Sequence, residues 1–162
     1  MIYFYGGAFN PMTRAHLEII SNIMEKMTNE DRFIIGITTH SYKEYQFSYK
    51  IRKDIITRNL LNIPIIGKRI KIVNQTERTW KFLNSLTKEP ITIILGEDEY
   101  QDLNKGIWHY SKELLDTYKF IVIPRTNNIS STIAREIINS NINDPILLDY
   151  ITPITLNYLK EL

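Results

Sequence analysis

No cysteine occurs anywhere in the 162 residues, which excludes disulfides and thiolate zinc sites outright. No apolar run approaches the ~20 residues needed to span a bilayer, so no membrane partner is expected. The N-terminus, MIYFYGGAFNP, has neither the basic segment nor the long apolar stretch of a secretory leader. A cytoplasmic address is the expectation. Excess charge is also missing: 20 basic against 18 acidic side chains leave a net charge of +2, too little for wrapping nucleic acid. Glycine and proline number only six each, which rules out collagen-like and low-complexity chains. There is no internal repeat and no composition break that marks a linker.

What remains is ordinary globular composition, 43% hydrophobic and 23% charged. One domain covering residues 1–162 is expected. Short apolar runs alternate with amphipathic stretches. Ile2 to Tyr5 reads as a strand ending at Gly6-Gly7, and Thr13 to Met27 as a helix with apolar positions at Leu17, Ile20, Ile23, Met24 and Met27. Phe33–Ile37 is a second strand, followed by a charged helix over Ser48 to Leu61. Ile70–Val73 is a third strand, and Glu77 to Leu86 a helix that Thr76 can cap. Ile91–Leu95 and Lys119–Ile123 are further strands on either side of a mixed region. Ser130 or Ser131 caps a helix to about Asn139, and Pro153 opens the last one. Strands separated by helices predict an α/β fold: a Rossmann-like, doubly wound, parallel five-stranded sheet with helices on both faces.

Ligands of such sheets bind beyond the carboxyl ends of the strands. That rule nominates four loops: Gly6 to His16, Thr38 to Phe47, Gly96 to Trp108 and Pro124 to Thr132. In the first, paired glycines permit a tight turn and a close backbone approach, and the helix start offers N–H groups suited to phosphate. Thr13 and His16, three apart, share one face of a first helical turn. The bland alternative is a tight turn with His16 capping or packing. No Gly-Lys-Ser/Thr follows, so the loop is not a Walker A motif, and the three-glycine dinucleotide fingerprint is absent too.

Gly6-Gly7-Ala8-Phe9-Asn10-Pro11 followed by Thr13-Arg14-Ala15-His16 resembles the GxFxP…(H/T)xxH signature of the adenylyl- and cytidylyltransferase superfamily. The resemblance implies that this loop holds a triphosphate and that His16 stabilises charge on the α- and β-phosphates. Thr13 stands where many members carry histidine; threonine there is typical of phosphopantetheine adenylyltransferases. Ile129-Ser130-Ser131-Thr132-Ile133-Ala134-Arg135 resembles the ISSTxIR motif of nicotinate- and nicotinamide-mononucleotide adenylyltransferases, with Ala134 in place of isoleucine. Ser131, Thr132 and Arg135 would face phosphate, Arg135 as a permanently charged fork. Gly96-Glu97-Asp98 with Leu103 and Trp108, Pro124-Arg125, and the tail from Tyr150 to Leu159 are similar to the nicotinate family as well.

The resemblance gives Asp98 a ribose-binding role at a strand end. Trp108 either stacks on a pyridine ring or fills the core. Asn10, Lys43 and Arg125 join it as mononucleotide contacts, Lys43 because superfamily members often place a phosphate-binding lysine in that loop. Solvated charge is the default for Lys43, Lys50 and Arg52 alike, and His40 and His109 are expected to be bystanders. The implied partners are ATP, with Mg²⁺ on its phosphates, and a pyridine mononucleotide. A homo-oligomer is compatible with the sequence. Phosphopantetheine as acceptor, and a non-catalytic nucleotide sensor, are the competing readings.

Overall fold

The computed structural model describes residues 1–40, 44–64, 68–125 and 129–162. They gather into two compact units. The first comprises Met1–Gly7, Met27–Lys43 and Lys68–Asn127. The second comprises Ala8–Lys26, Glu44–Gly67 and Asn128–Leu162.

The first unit holds five strands: β1 (Ile2–Gly7), β2 (Arg32–Thr38), β3 (Arg69–Gln75), β4 (Ile91–Gly96) and β5 (Lys119–Ile123). They form one sheet in the order β3-β2-β1-β4-β5, and every pairing is parallel. The expected five-stranded parallel α/β architecture is therefore present, with the strand order reversing between β1 and β4. The three inner strands are buried along almost their whole length, as their unbroken apolar runs require. Edge strand β3 instead alternates, with Arg69 and Lys71 exposed, a pattern that discourages pairing with another chain.

Parallel register brings Gly6 opposite Gly36. A Cβ on Gly6 would lie 2.8 Å from Gln75 Oε1 and 2.9 Å from the Phe4 ring, and one on Gly36 would lie 2.9 Å from that ring. The glycines are there because Phe4 and Gln75 fill the space a side chain would need. Phe4 belongs to the core cluster with Ile34, Phe82, Leu83, Ile91, Ile93 and Leu95.

Three helices of this unit follow the strands, numbered by their place in the whole chain: α3 (Thr79–Leu86), α4 (Glu97–Asn104) and α5 (Ser111–Thr117). The helix expected from Glu77 starts two residues later, and Thr76 does not cap it; Arg78 holds the cap position without a side-chain bond. The reason is Gln75, whose Nε2 donates to the Glu77 carbonyl (3.2 Å) and to Thr79 Oγ1 (3.5 Å), holding the intervening residues outside the helix. The mixed region after β4 is helical. Only Leu103 of α4 and Leu114 of α5 are buried, so neither helix shows a readable apolar stripe. Glu97, Asp98 and Glu99 occupy the first turn of α4, where they suit the helix dipole.

The second unit contains α1 (Arg14–Lys26), α2 (Tyr49–Leu60), α6 (Ser131–Asn141), a 3₁₀ turn (Pro145–Asp149) and α7 (Pro153–Lys160). Ser48, Ser130 and Thr152 cap α2, α6 and α7 through their hydroxyls. Asn59 of α2, 1% exposed, donates to Thr155 Oγ1 (2.9 Å) and accepts from Thr152 Oγ1 (2.6 Å). That clip fixes the start of α7 on α2.

Replacing Gly36 by alanine drives a methyl into the Phe4 ring, with no polar group gained. The expected cost is about 1–3 kcal/mol, read as a lower urea midpoint at unchanged slope. A loss below about 0.5 kcal/mol would show that Phe4 is free to move aside.

Candidate functional site

In the first unit, a cavity of about 470 Å³ opens among the carboxyl ends of the strands, within the size range of small-molecule sites. Gly6 and Gly7 end β1, Thr38 and His40 follow β2, and Gln75, Arg78 and Thr79 follow β3. Leu95, Glu99, Ile107, Trp108 and His109 come from β4 and the segment after it. Gly6 and Gly7, two of the predicted phosphate contacts, thus line the cavity. Trp108 packs against the core cluster and also lines the cavity. His40 and His109, set aside as bystanders, line it too.

The sequence reading missed Gln75, Arg78, Thr79 and Glu99. The carboxyl-end rule applies to the loop after the third strand as much as to the four nominated, and it would have found three of them. Glu99 is the acidic group of the lining. Its side chain reaches solvent, yet enough protein surrounds the carboxyl to raise its pKa. The charges of Asp102 and Asp98 add to that rise, against the lowering effect of the Gly96 N–H bond. Gly96 is the N-cap of α4, so this bond is a cap contact.

Asp98 and Arg125, expected to contact ligand, lie outside the cavity lining. They form an exposed ion pair through Arg125 Nη1, while the Arg125 N–H faces Glu97 at 3.4 Å. Lys43 lies outside the described residues.

In the second unit, both predicted phosphate motifs converge on one loop. Arg135 Nη1 donates to the Asn10 carbonyl (2.8 Å) and Ser131 Oγ to the Pro11 carbonyl (2.9 Å). Arg135 Nη2 also reaches Thr132 Oγ1 at 3.2 Å. Asn10 Oδ1 accepts from the Phe47 N–H (3.0 Å), and Arg52 Nη1 donates to the Ala8 carbonyl (2.9 Å). Arg52 is only 2% exposed, which corrects its default as a solvated helix charge. Lys50 is solvated, with a surface pair to Asp54. Asn10, Phe9 and Thr13 are buried. Thr132 is exposed, and Ser131 and Arg135 are half-buried.

Thr13 and His16 do share one turn. The Thr13 N–H donates to His16 Nδ1 (2.9 Å), and the Thr13 hydroxyl lies 3.2 Å from the same nitrogen. An accepting Nδ1 leaves the ring proton on Nε2. Burial pushes the His16 pKa from 6.5 down to about 4, so at neutral pH the ring is an uncharged donor.

A parallel α/β sheet with a cavity at the carboxyl ends of its strands is a common setting for small-molecule sites. The chain belongs to the cytidylyltransferase-like family, whose model matches residues 4–137. The probable nicotinate-nucleotide adenylyltransferase of Acholeplasma laidlawii is 27% identical over 135 residues, 78% of this chain and 69% of that protein. A phosphopantetheine adenylyltransferase of a Chelativorans species is 37% identical over 71 residues, 43% of this chain and 41% of that protein. Among solved structures, the Plasmodium falciparum nicotinic acid mononucleotide adenylyltransferase complexed with NaAD matches with a TM-score of 0.76. The match covers 99% of this chain and 94% of that one at 20% identity, and it establishes the fold. Among the described residues, no helix is long and apolar enough to cross a membrane.

The depressed His16 pKa has a thermodynamic signature. Between pH 6.5 and 4 the unfolded chain binds a proton that the folded chain does not, so stability is full above 6.5 and falls as pH drops toward 4. The loss attributable to this group is about 2–3 kcal/mol by pH 4.5. Urea unfolding at pH 7.5 and 4.5 should show a smaller pH dependence for His16→Gln than for the wild type. Equal dependence in the two proteins would contradict a neutral, buried imidazole.

Proposed function

We propose that the chain transfers the AMP part of ATP to nicotinate mononucleotide and releases pyrophosphate. Family membership supports the reaction class. The observation that carries the reading is the convergence of Ser131 and Arg135 on the Asn10 and Pro11 carbonyls across more than a hundred residues of sequence. The name carried by the Acholeplasma relative supports the acceptor.

In the proposed chemistry, an oxygen of the mononucleotide 5′-phosphate bonds to the α-phosphorus of ATP, and the bond from that phosphorus to the bridging oxygen breaks. The nucleophile is already anionic, so no general base is needed, and alignment with charge neutralisation supplies the rate. His16 donates from Nε2–H as a neutral group whose protonation is constant across the physiological range. Thr13 orients that ring. Arg135, Thr132 and Ser131, with the Gly6–Phe9 segment, take phosphate oxygens. Trp108 and Asn10 serve the mononucleotide, and Lys43 and Arg125 are assigned its phosphate. Asp98 and Gly96 are assigned to the ATP side, Arg125 having to leave its ion pair with Asp98 to act.

Mg²⁺ enters this proposal on the phosphates of ATP. Among the described residues no group of three or more His, Asp or Glu side chains is placed to hold a metal ion, and Mg²⁺ keeps most of its waters when phosphates bind it. It would spread the charge of the leaving pyrophosphate. We assign the protein to the cytoplasm.

Phosphopantetheine is the second acceptor considered, favoured by threonine at position 13 and by the 37% identity over 71 residues to an enzyme of that name. One experiment separates the readings. With Mg²⁺-ATP, purified protein is offered nicotinate mononucleotide, nicotinamide mononucleotide and phosphopantetheine separately, and pyrophosphate is measured. Nicotinate mononucleotide should give the highest kcat/KM; preference for phosphopantetheine overturns the acceptor, and ATP binding without pyrophosphate release indicates a sensor. His16→Ala should remain folded and lose about 2–4 kcal/mol of transition-state stabilisation. Near-normal turnover would remove His16 from the mechanism.

A further inference from the structure

Among the described residues, Arg52 is the one charged side chain in the set of buried polar residues. A charge costs far more to bury than a neutral amide. Arg52 sits in the first turn of α2, anchored by the Ser48 cap. Its guanidinium lies over the Tyr45 ring, 4.3 Å from the centroid, a cation–π contact. One nitrogen donates to the Ala8 carbonyl. The next residue, Phe9, has a φ of 47°, a left-handed conformation that is unfavourable for an aromatic side chain and persists only where its surroundings enforce it. The Phe9 ring stands edge-on to the His16 ring, with 4.9 Å between centroids.

From this arrangement we infer that Arg52 is a positioning residue of the first loop: its buried fork fixes the Ala8–Phe9 peptide plane and, through the Phe9 ring, the orientation of the His16 imidazole. The carbonyl and N–H of a trans peptide point in opposite directions, so holding the Ala8 oxygen also sets where the Phe9 N–H points. Arg135 and Ser131 hold the Asn10 and Pro11 carbonyls from α6, so the loop is clamped by side chains of two helices. Arg52 adds a permanent positive charge to a segment assigned to phosphate. The effect on turnover rests on the function proposed above; the effect on the imidazole does not.

The test uses Arg52→Met, close in length and uncharged, and Arg52→Lys, with circular dichroism and thermal melting as the check of folding. In wild type, ¹⁵N–¹H spectra of the imidazole should show the single Nε2–H tautomer that the Thr13 N–H bond to Nδ1 requires. A folded Arg52→Met should show averaged tautomers and at least a tenfold lower kcat, with KM for the mononucleotide changed less than twofold. Arg52→Lys should recover part of kcat while staying at least threefold below wild type. A folded variant of either kind with wild-type kcat and a single Nε2–H tautomer overturns the inference, and should Arg52→Met not fold, Arg52→Lys decides alone. Absence of turnover in the wild type would refute the proposed function, while the imidazole spectra would still judge Arg52.

Discussion

Backbone carbonyls outside helices and sheets must find donors when they are buried, and the loop from Ala8 to Thr13 meets that demand with side chains. The Ala8, Asn10 and Pro11 oxygens take their protons from Arg52, Arg135 and Ser131 in turn, while the Asn10 side chain receives the Phe47 N–H. The donors come from α2, from α6 and from the segment that leads into α2. The capping of α2 and α6 thereby acquires a purpose beyond helix stability, because each cap sets the phase of a helix whose first turn carries a clamp. The Asn59 clip to Thr152 and Thr155 extends the same logic to α7. A left-handed Phe9 can persist in such a loop because its neighbours leave it no alternative.

The sheet solves a different problem. Its inner strands are apolar along almost their whole length, and the chemistry is confined to their carboxyl ends. There, Gly6 and Gly36 lie side by side because the Phe4 ring and the Gln75 amide occupy the space above them. Gln75 links this packing to the cavity. Buried to 2% exposure, it donates to Glu77 and Thr79, and so shapes the turn that presents Arg78 and Thr79. The cavity wall and the start of α3 are thus set by one side chain at the end of an edge strand.

Much of this was legible before any coordinates. The apolar runs of β1, β2 and β4 revealed the parallel sheet because such strands are buried on both sides, and Ser48, the Ser130-Ser131 pair and Pro153 marked helix starts by their own chemistry. The motif around His16 and the run from Ile129 to Arg135 were each read as phosphate-binding, and the Ser131 and Arg135 side chains reach the Pro11 and Asn10 carbonyls of the first. What escaped was long-range or weakly patterned. Helices α4 and α5 each bury a single leucine, too little for a period to show. The Thr76 cap failed because Gln75, a residue of the preceding strand, reorganised the turn. Arg52 read as solvent-facing because its partner lies 44 positions away. Asp98 and Arg125 were each expected to meet a ligand, and their contact with each other was not foreseen. A one-dimensional reading finds the chemistry of a residue more readily than its counterpart.

Three hydroxyls stand in a row at the start of α6, and they are not interchangeable. Ser130 is occupied by the backbone N–H groups of Thr132 and Ile133, Ser131 is turned toward the Pro11 carbonyl, and Thr132 meets the guanidinium of Arg135. One position serves the helix, the next the loop, and the third a neighbouring cation. A chain with the same composition but the order shifted by a single residue would keep its helix propensity and its polarity, yet lose the alignment of all three tasks together. The run therefore behaves as a reading frame: its information lies in register rather than in content.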